Sequence, residues 1–232
     1  MSNIIRNTIN KIDSLYHQKN IFSVLKGLNL QTAIDVGAHK GEFLSYLLKL
    51  NSIKNIHAFE PQKKIFNELE QKFLSNDLII LNNFAISDES GFKNIKINKL
   101  TSTSTFSEIS ANSIWAKLKN AILFSKNSIV GNYEVQTIKL DNYIKEKKIN
   151  NIDLLKIDTE GHELNVLKGS EKSFDDKIIK YILIEVNLTK MYKNYKIEDV
   201  ENFLQRKNYK LVKKFKFPLL NFEDRLYVSD KF

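Results

Sequence analysis

The run KIDTEGHEL gathers Lys156, Asp158, Glu160, His162 and Glu163 into one short stretch. Carboxylates and an imidazole at that density can orient a hydroxyl, take its proton, or hold a cationic group. Asp158 ends the apolar stretch LLKI, so a strand would deliver it to a sheet edge. It is read as orienting a bound ligand, holding a hydroxyl or acting as base, and Glu160 in the adjoining loop has a similar claim. His162 titrates in the range where a neutral imidazole accepts a proton at pH 7. A structural or exposed histidine is the competing reading. Lys156 stands two residues before Asp158 and shares its strand face, to position an anionic acceptor or to pair with a carboxylate. Glu163 is expected at the solvent or capping local backbone, and Gly161 and Gly169 as turn or packing residues. Glu185 closes YILIE on a later strand and Asn187 follows. Asp158, Glu185 and Asn187 form an oxygen-rich set compatible with Mg2+. Positioning of an acceptor is the favoured role for Glu185, Mg2+ is not favoured, and no metal ligand is assigned.

A second group lies earlier. Asp35, Gly37 and Gly41 sit where the apolar strand QTAIDVG passes into the helix-like FLSYLLKL. Gly37 permits a tight turn and a close backbone approach, and Gly41 suits close helix–strand packing. The spacing G-A-H-K-G departs from the G-x-G-x-x-G fingerprint, which weakens a pyrophosphate reading and leaves a ligand without phosphates. On spacing alone, a structural turn and a nucleotide-like site are equally served. Glu60 shifts that balance, because it ends the next strand, NIHAF, one βαβ unit after Gly37, where ligands of parallel sheets bind. An acid there can accept hydrogen bonds from both ribose hydroxyls, and Pro61 stiffens the exit. His39 and Lys40, between the glycines, are expected to be solvated.

The elements that must carry these groups alternate. Residues 1–28 read as one or two helices, with Ile4, Ile5, Ile9, Ile12 and Leu15 as a stripe. Two strand–helix units then feed a third strand and its exit loop, DLIILNNFAIS, which implies a parallel, right-handed α/β sheet. FKNIKINKL and YEVQTIKL alternate as exposed antiparallel strands do. Residues 101–133 hold TSTSTFSEIS and a stretch around Trp115, Leu118 and Phe124, read as a lid or substrate-facing insertion, with a solvated excursion as the alternative. NIDLLKID and KYILIEV resume the sheet, Ile197 to Phe203 reads as a helix, and NYKLVKKFKF and DRLYVSD close it. The division expected is a helical extension over 1–30 and one α/β domain over 31–232.

Composition sets the outer bounds. At 232 residues with 42% hydrophobic residues the chain can bury one substantial core. Having 0 cysteines, it has no disulfide, thiolate metal site or cysteine nucleophile. Neither a continuous apolar signal core nor a bilayer-length apolar stretch occurs, so the expected location is cytoplasmic. The net charge of +9 would suit nucleic acid, anionic lipid or an acidic glycan. Its lysines are scattered among Asn and Ile, however, and read first as a solvated surface.

DVGAHKG, FEP, NNFAISDESG, the partial VQTIKLDNY and LLKIDTEGHELNVLKGS resemble, in order and over about residues 31–187, the signature blocks of the FkbM-type methyltransferases. These are a branch of the class I enzymes dependent on S-adenosylmethionine. The resemblance implies a Rossmann-like α/β fold with a mainly parallel seven-stranded sheet and an antiparallel last strand. It implies methyl transfer to a hydroxyl of a sugar, glycolipid or related intermediate, with S-adenosyl-L-methionine as cofactor and a small-molecule or glycan acceptor as partner. By that resemblance Asp35, Gly37, Ala38 and Gly41 surround the methionine and ribose portions, Glu60 holds the ribose diol, and Phe84 and Ala85 lie near the adenine. Asp158 serves cofactor and chemistry alike. The alternatives are an RNA ribose methyltransferase and a noncatalytic cofactor-binding or assembly protein of the same fold. The amphipathic N-terminus leaves a partner, peripheral membrane contact, or cover for the protein's own sheet open, as is the oligomeric state.

Overall fold

Every residue of IDLLKI is buried, which a strand achieves only in the middle of a sheet covered on both faces. The computed structural model describes residues 16–98, 104–105, 129–188, 192, 195–217 and 222–232. The main sheet comprises β1 (Thr32–Val36), β2 (Asn55–Phe59), β3 (Ile79–Asn82), β8 (Ile152–Ile157), β9 (Ile179–Asn187), β10 (Tyr209–Lys216) and β11 (Phe222–Ser229), in the spatial order β10-β11-β9-β8-β1-β2-β3. β11 runs antiparallel to both β10 and β9, and the pairs β9–β8, β8–β1, β1–β2 and β2–β3 are parallel. The last strand in the chain is therefore the reversed one, as expected for the class I methyltransferase topology.

Side-chain alternation along the strands sorts two cores. Ala33, Leu154, Leu183 and Leu226 face one side, together with Ile21 and Leu25 of α1 (Gln18–Leu25), Phe43, Leu44 and Leu47 of α2 (Glu42–Leu47) and Leu69 of α3 (Lys63–Phe73). Ile34, Leu155, Ile157 and Ile184 face the other, against Tyr143 and Ile144 of α4 (Leu140–Lys147), Val166 and Leu167 of α5 (Glu163–Lys168), Phe174 of α6 (Glu171–Asp175) and Phe203 and Leu204 of α7 (Ile197–Arg206). α7 shows why its residues form a helix: Val200, Phe203 and Leu204 fall at helical spacing and are its buried stripe.

The described part of the N-terminal extension lies on the protein's own sheet. His17 is buried, and its Nε2 is 2.7 Å from Asp224 Oδ2 on β11. The stripe from Ile4 to Leu15 falls outside the described residues.

DLIILNNFAIS holds a strand as expected, but its exit carries a second, short strand of another sheet. β3 stops at Asn82, and β4 (Ala85–Ile86) joins a second sheet of order β4-β7-β5-β6, with β5 (Gly91–Asn98), β6 (Ser104–Thr105) and β7 (Ile129–Ile138). The break is a polar one: Asn82 turns its amide back to the Ala58 and Ile80 carbonyls, and Asn83 donates to the Glu60 and Pro61 carbonyls. β5 and β7 pair antiparallel, as their alternation predicts. Trp115, Leu118 and Phe124, and most of residues 101–133, lie outside the described residues. α4 and α6 were not legible as helices. α6 is too short to show a period, and its start is held by Asp141, which accepts from the Lys172 and Ser173 backbone at 2.9 Å each.

Candidate functional site

At the carboxyl end of β1 the chain turns with Gly37 at φ +93°, and both the Gly37 and Ala38 N–H donate to Phe59 O, at 3.0 and 2.9 Å. A Cβ at Gly37 would stand 1.9 Å from Asp158 O, so the two loops that carry the acidic residues meet backbone to backbone. Gly41, at φ +70°, packs against a helix rather than a strand: a Cβ there would reach 2.4 Å from Phe73 and 2.7 Å from Leu69 of α3. Lys40 is exposed and pairs with Glu68 at 3.1 Å, a solvated turn residue as expected. His39 is not. It is half-buried at φ +47°, its Nδ1 lies 3.4 Å from Glu42 Oε2, and its Nε2 is buried without a hydrogen-bond partner. Burial opposes its protonation, yet the bond to Glu42 and the charges of Glu42 and Glu60 outweigh that and hold it above the ordinary histidine value.

Glu60 is buried at the end of β2, where Oε2 accepts from His39 N at 3.0 Å and Oε1 from Gln62 N at 2.8 Å. Burial outweighs these bonds and pushes its carboxyl up to about 7. Across the sheet Asp35 is wholly buried, and neither carboxylate oxygen has a hydrogen-bond partner. Burial raises its pKa, against the pull of Lys156. Lys156 stands beside Asp35 in the β1–β8 register, with Nζ 3.5 Å from Asp35 Oδ1 and 3.0 Å from Asp158 Oδ2. Asp158, whose side chain is 34% exposed, is the open member of this trio.

The loop beyond Asp158 is pinned from beneath. Glu163 is buried and accepts from Thr159 N, Thr159 Oγ1 and Gly161 N at 3.0–3.1 Å, so it caps backbone and does not face solvent. Its burial raises its carboxyl to about 7. Glu160, at φ +52°, accepts from the buried Tyr192 hydroxyl. Glu185 stands opposite Asp224 in the β9–β11 register. Burial first, then the charges of Asp158, Glu160, Asp224 and Glu163, hold its carboxyl well above the usual range.

His162 is turned away from this acidic edge and into the junction with the second sheet. Its Nε2 is 2.9 Å from Ser87 Oγ, and burial and the Lys93 charge push its pKa down to about 4. Ser87 Oγ donates to Asp88 Oδ1 at 2.8 Å, and Lys93 Nζ donates to both. Ser87 Oγ thus bridges His162, Asp88 and Lys93 at the sheet junction. Phe84 is half-buried against Phe59 and Tyr143, at ring distances of 5.5 and 6.1 Å, and Ala85 is buried with Ile95 and Val135. Sequence reasoning missed Tyr192, Ser87 and Lys93, because a lone tyrosine, serine or lysine carries no spacing signal before the fold pairs it. Among the described residues no group of three or more His, Cys, Asp or Glu is placed to hold a metal ion, and no helix is long and apolar enough to cross a membrane.

Residues 35–211 match the family model described as the methyltransferase FkbM domain. The hexuronic acid methyltransferase AglP of Haloferax volcanii is 23% identical over 154 residues, which are 66% of this chain and 54% of that protein. The chain thus spans about half the length of that curated relative. Among solved structures, methyltransferase FkbM from Methylobacillus flagellatus superposes with a TM-score of 0.54 at 14% identity, over 86% of this chain and 43% of the other. Fibrillarin from Aeropyrum pernix, with natively bound S-adenosyl-L-methionine, gives 0.51 at 9% identity, over 90% and 74%. At such identities these two likenesses concern the fold.

Proposed function

The chain belongs to the FkbM methyltransferase domain family, and from that premise we propose that it transfers the methyl group of S-adenosylmethionine to a hydroxyl of a sugar, glycolipid or related intermediate. The observation that carries the cofactor half is the distribution of buried polar atoms without hydrogen-bond partners. Asp35 Oδ2 and His39 Nε2 are among them, and both residues act electrostatically on Glu60. Buried polar groups are ordinarily satisfied, so orphans gathered round one carboxylate fit a ligand rich in hydroxyl, amino and carboxylate groups. Glu60 would hold the ribose diol, the Gly37–Gly41 turn the methionine portion, and Asp35 its cationic groups. When bound, the cofactor supplies an electrophilic methyl group on a sulfonium.

The rest of the chemistry falls to the acidic edge. Lys156 fixes Asp158 through Oδ2 and leaves Oδ1 to orient an acceptor hydroxyl and take its proton. Glu185, its carboxyl held above the usual range by burial and the neighbouring acids, would position a second acceptor oxygen. Glu163 and Tyr192 keep the Glu160 loop in register without entering the chemistry. The hydroxyl-acceptor reading draws on the resemblance and on the methyltransferase named AglP. A cytoplasmic location belongs to the same reading and rests on sequence alone. Mass-resolved transfer from isotopically labelled S-adenosylmethionine into pooled glycans, lipids, small metabolites and RNA tests it. Label in a sugar or glycolipid hydroxyl supports the proposal, while label confined to RNA ribose, or none despite confirmed cofactor binding, overturns it.

A further inference from the structure

β7 contributes a hydroxyl to this neighbourhood that no motif announces. Tyr133 packs against Ala85, Ile95 and Val135, and its register partner on β5 is Ile95. Ala85 follows Asn83 by two residues, and the Asn83 amide is bonded to the Glu60 and Pro61 carbonyls. The second sheet is thereby seated against the end of β2. The ring has an apolar cluster to lie on, but its hydroxyl, buried, has no hydrogen-bond partner. Burial raises the pKa of this phenol, the charge of Glu60 raises it further, and the backbone N–H of Lys63, which faces the hydroxyl without meeting hydrogen-bond geometry, opposes both. The hydroxyl therefore sits within electrostatic reach of Glu60 and of the first turn of α3. A tyrosine hydroxyl left unpaired in the interior costs free energy, and a phenylalanine would fill the same space at no such cost.

We propose that Tyr133 binds the nucleoside half of the cofactor, its hydroxyl completing a hydrogen bond to the ligand beside Glu60. This rests on the S-adenosylmethionine reading above, and it makes the second sheet one wall of the cofactor site. A hydrogen bond that forms only with ligand predicts two effects of opposite sense from one atom. Removing the hydroxyl weakens ligand binding, yet does not weaken the free protein.

The test is calorimetric titration of wild-type and Tyr133→Phe protein with S-adenosylhomocysteine and with 5′-methylthioadenosine, which keeps the nucleoside and lacks the amino acid. Thermal unfolding of both proteins is measured without ligand. The expected result is a loss of about fivefold to tenfold in affinity for both ligands, with a Tm for the free variant equal to or above wild type. Equal affinity of variant and wild type overturns the assignment while leaving the cofactor reading intact. So does a loss confined to S-adenosylhomocysteine, or a lowered Tm, which would mean the hydroxyl already has a partner in the protein. If the folded wild-type protein binds neither ligand, the cofactor reading falls and takes this assignment with it.

Discussion

Lys156 and Asp35 stand side by side on adjacent parallel strands, Nζ 3.5 Å from Oδ1, with the lysine side chain 7% and the aspartate 0% exposed. Two opposite charges so deep in a sheet stabilise one another only as a pair. Burial would drive the ammonium to neutrality, but Asp158, Asp35 and Asp224 hold it charged. Lys156→Met should therefore destabilise by about 3 kcal/mol or more, because it strands a carboxylate that has no other partner. Asp35→Asn combined with Lys156→Met should cost clearly less than the sum of the two single losses. Denaturant titration of the four proteins checks this, and additive losses would show that the pair is not coupled.

Gly37→Ala and Gly91→Ala separate close approach from backbone strain. Both glycines have positive φ, +93° and +150°, but a Cβ at Gly37 meets Asp158 O at 1.9 Å whereas one at Gly91 meets nothing within 4 Å. The Gly91 variant should lose about 1–3 kcal/mol, the range for a strained backbone position. The Gly37 variant should lose more than that, and S-adenosylhomocysteine binding with it, since the β1 and β8 loops cannot both keep their places. Comparable losses at the two positions would refute the contact argument.

The parallel order of the sheet was readable because β1, β2, β8 and β9 are apolar runs closed by an acid or by turn residues, and burial on both faces enforces that composition. Asp35, Gly37, Glu60 and Asp158 were readable for the same reason, each ending a strand or opening the turn that follows. The register was not. That Lys156 would lie against Asp35, or that Glu185 would stand opposite Asp224, depends on strand pairing across more than a hundred residues in the first case. His39 was misread because its neighbours Glu42 and Glu60 become one site only after β2 aligns with β1. The split of β3 from β4 was hidden because Asn82, Asn83 and Phe84 read as a strand's exit, although the asparagine amides there bond β2 and its exit and release the chain into another sheet.

Glu60 should make cofactor binding pH-dependent in a defined direction. Its carboxyl titrates at about 7 in the free protein, and the ionised form is the better acceptor for two ribose hydroxyls. Affinity for S-adenosylhomocysteine should therefore rise as pH increases from 6 to 8 and level off above, and Glu60→Gln should flatten this profile. In folding the sign is reversed: a raised carboxylate pKa means that stability is fully present below the unfolded value of 4.5 and is lost as pH rises through 7. Titration calorimetry across that range decides the matter, and a pH-independent wild type would remove Glu60 from the site.

His162 and Asp158 make opposite predictions for turnover. A general base works best with a pKa near the working pH, but burial and Lys93 push His162 down to about 4, and its Nε2 is hydrogen-bonded to Ser87. His162→Gln should keep methyl transfer into the accepting pool within about tenfold of wild type, whereas Asp158→Asn should lose about 10²–10⁴-fold. What His162 controls is acid stability. Its folded pKa lies below the unfolded 6.5, so stability is gained as pH rises from 4 to 6.5 and lost as pH falls through that window, by about 3 kcal/mol in total. The difference in unfolding free energy between wild type and His162→Gln should carry that pH slope. Glu60 and Glu163, raised to about 7 in both proteins, cancel in the comparison. A collapse of turnover in His162→Gln protein that still binds S-adenosylhomocysteine would return the imidazole to the chemistry and take the proton from Asp158.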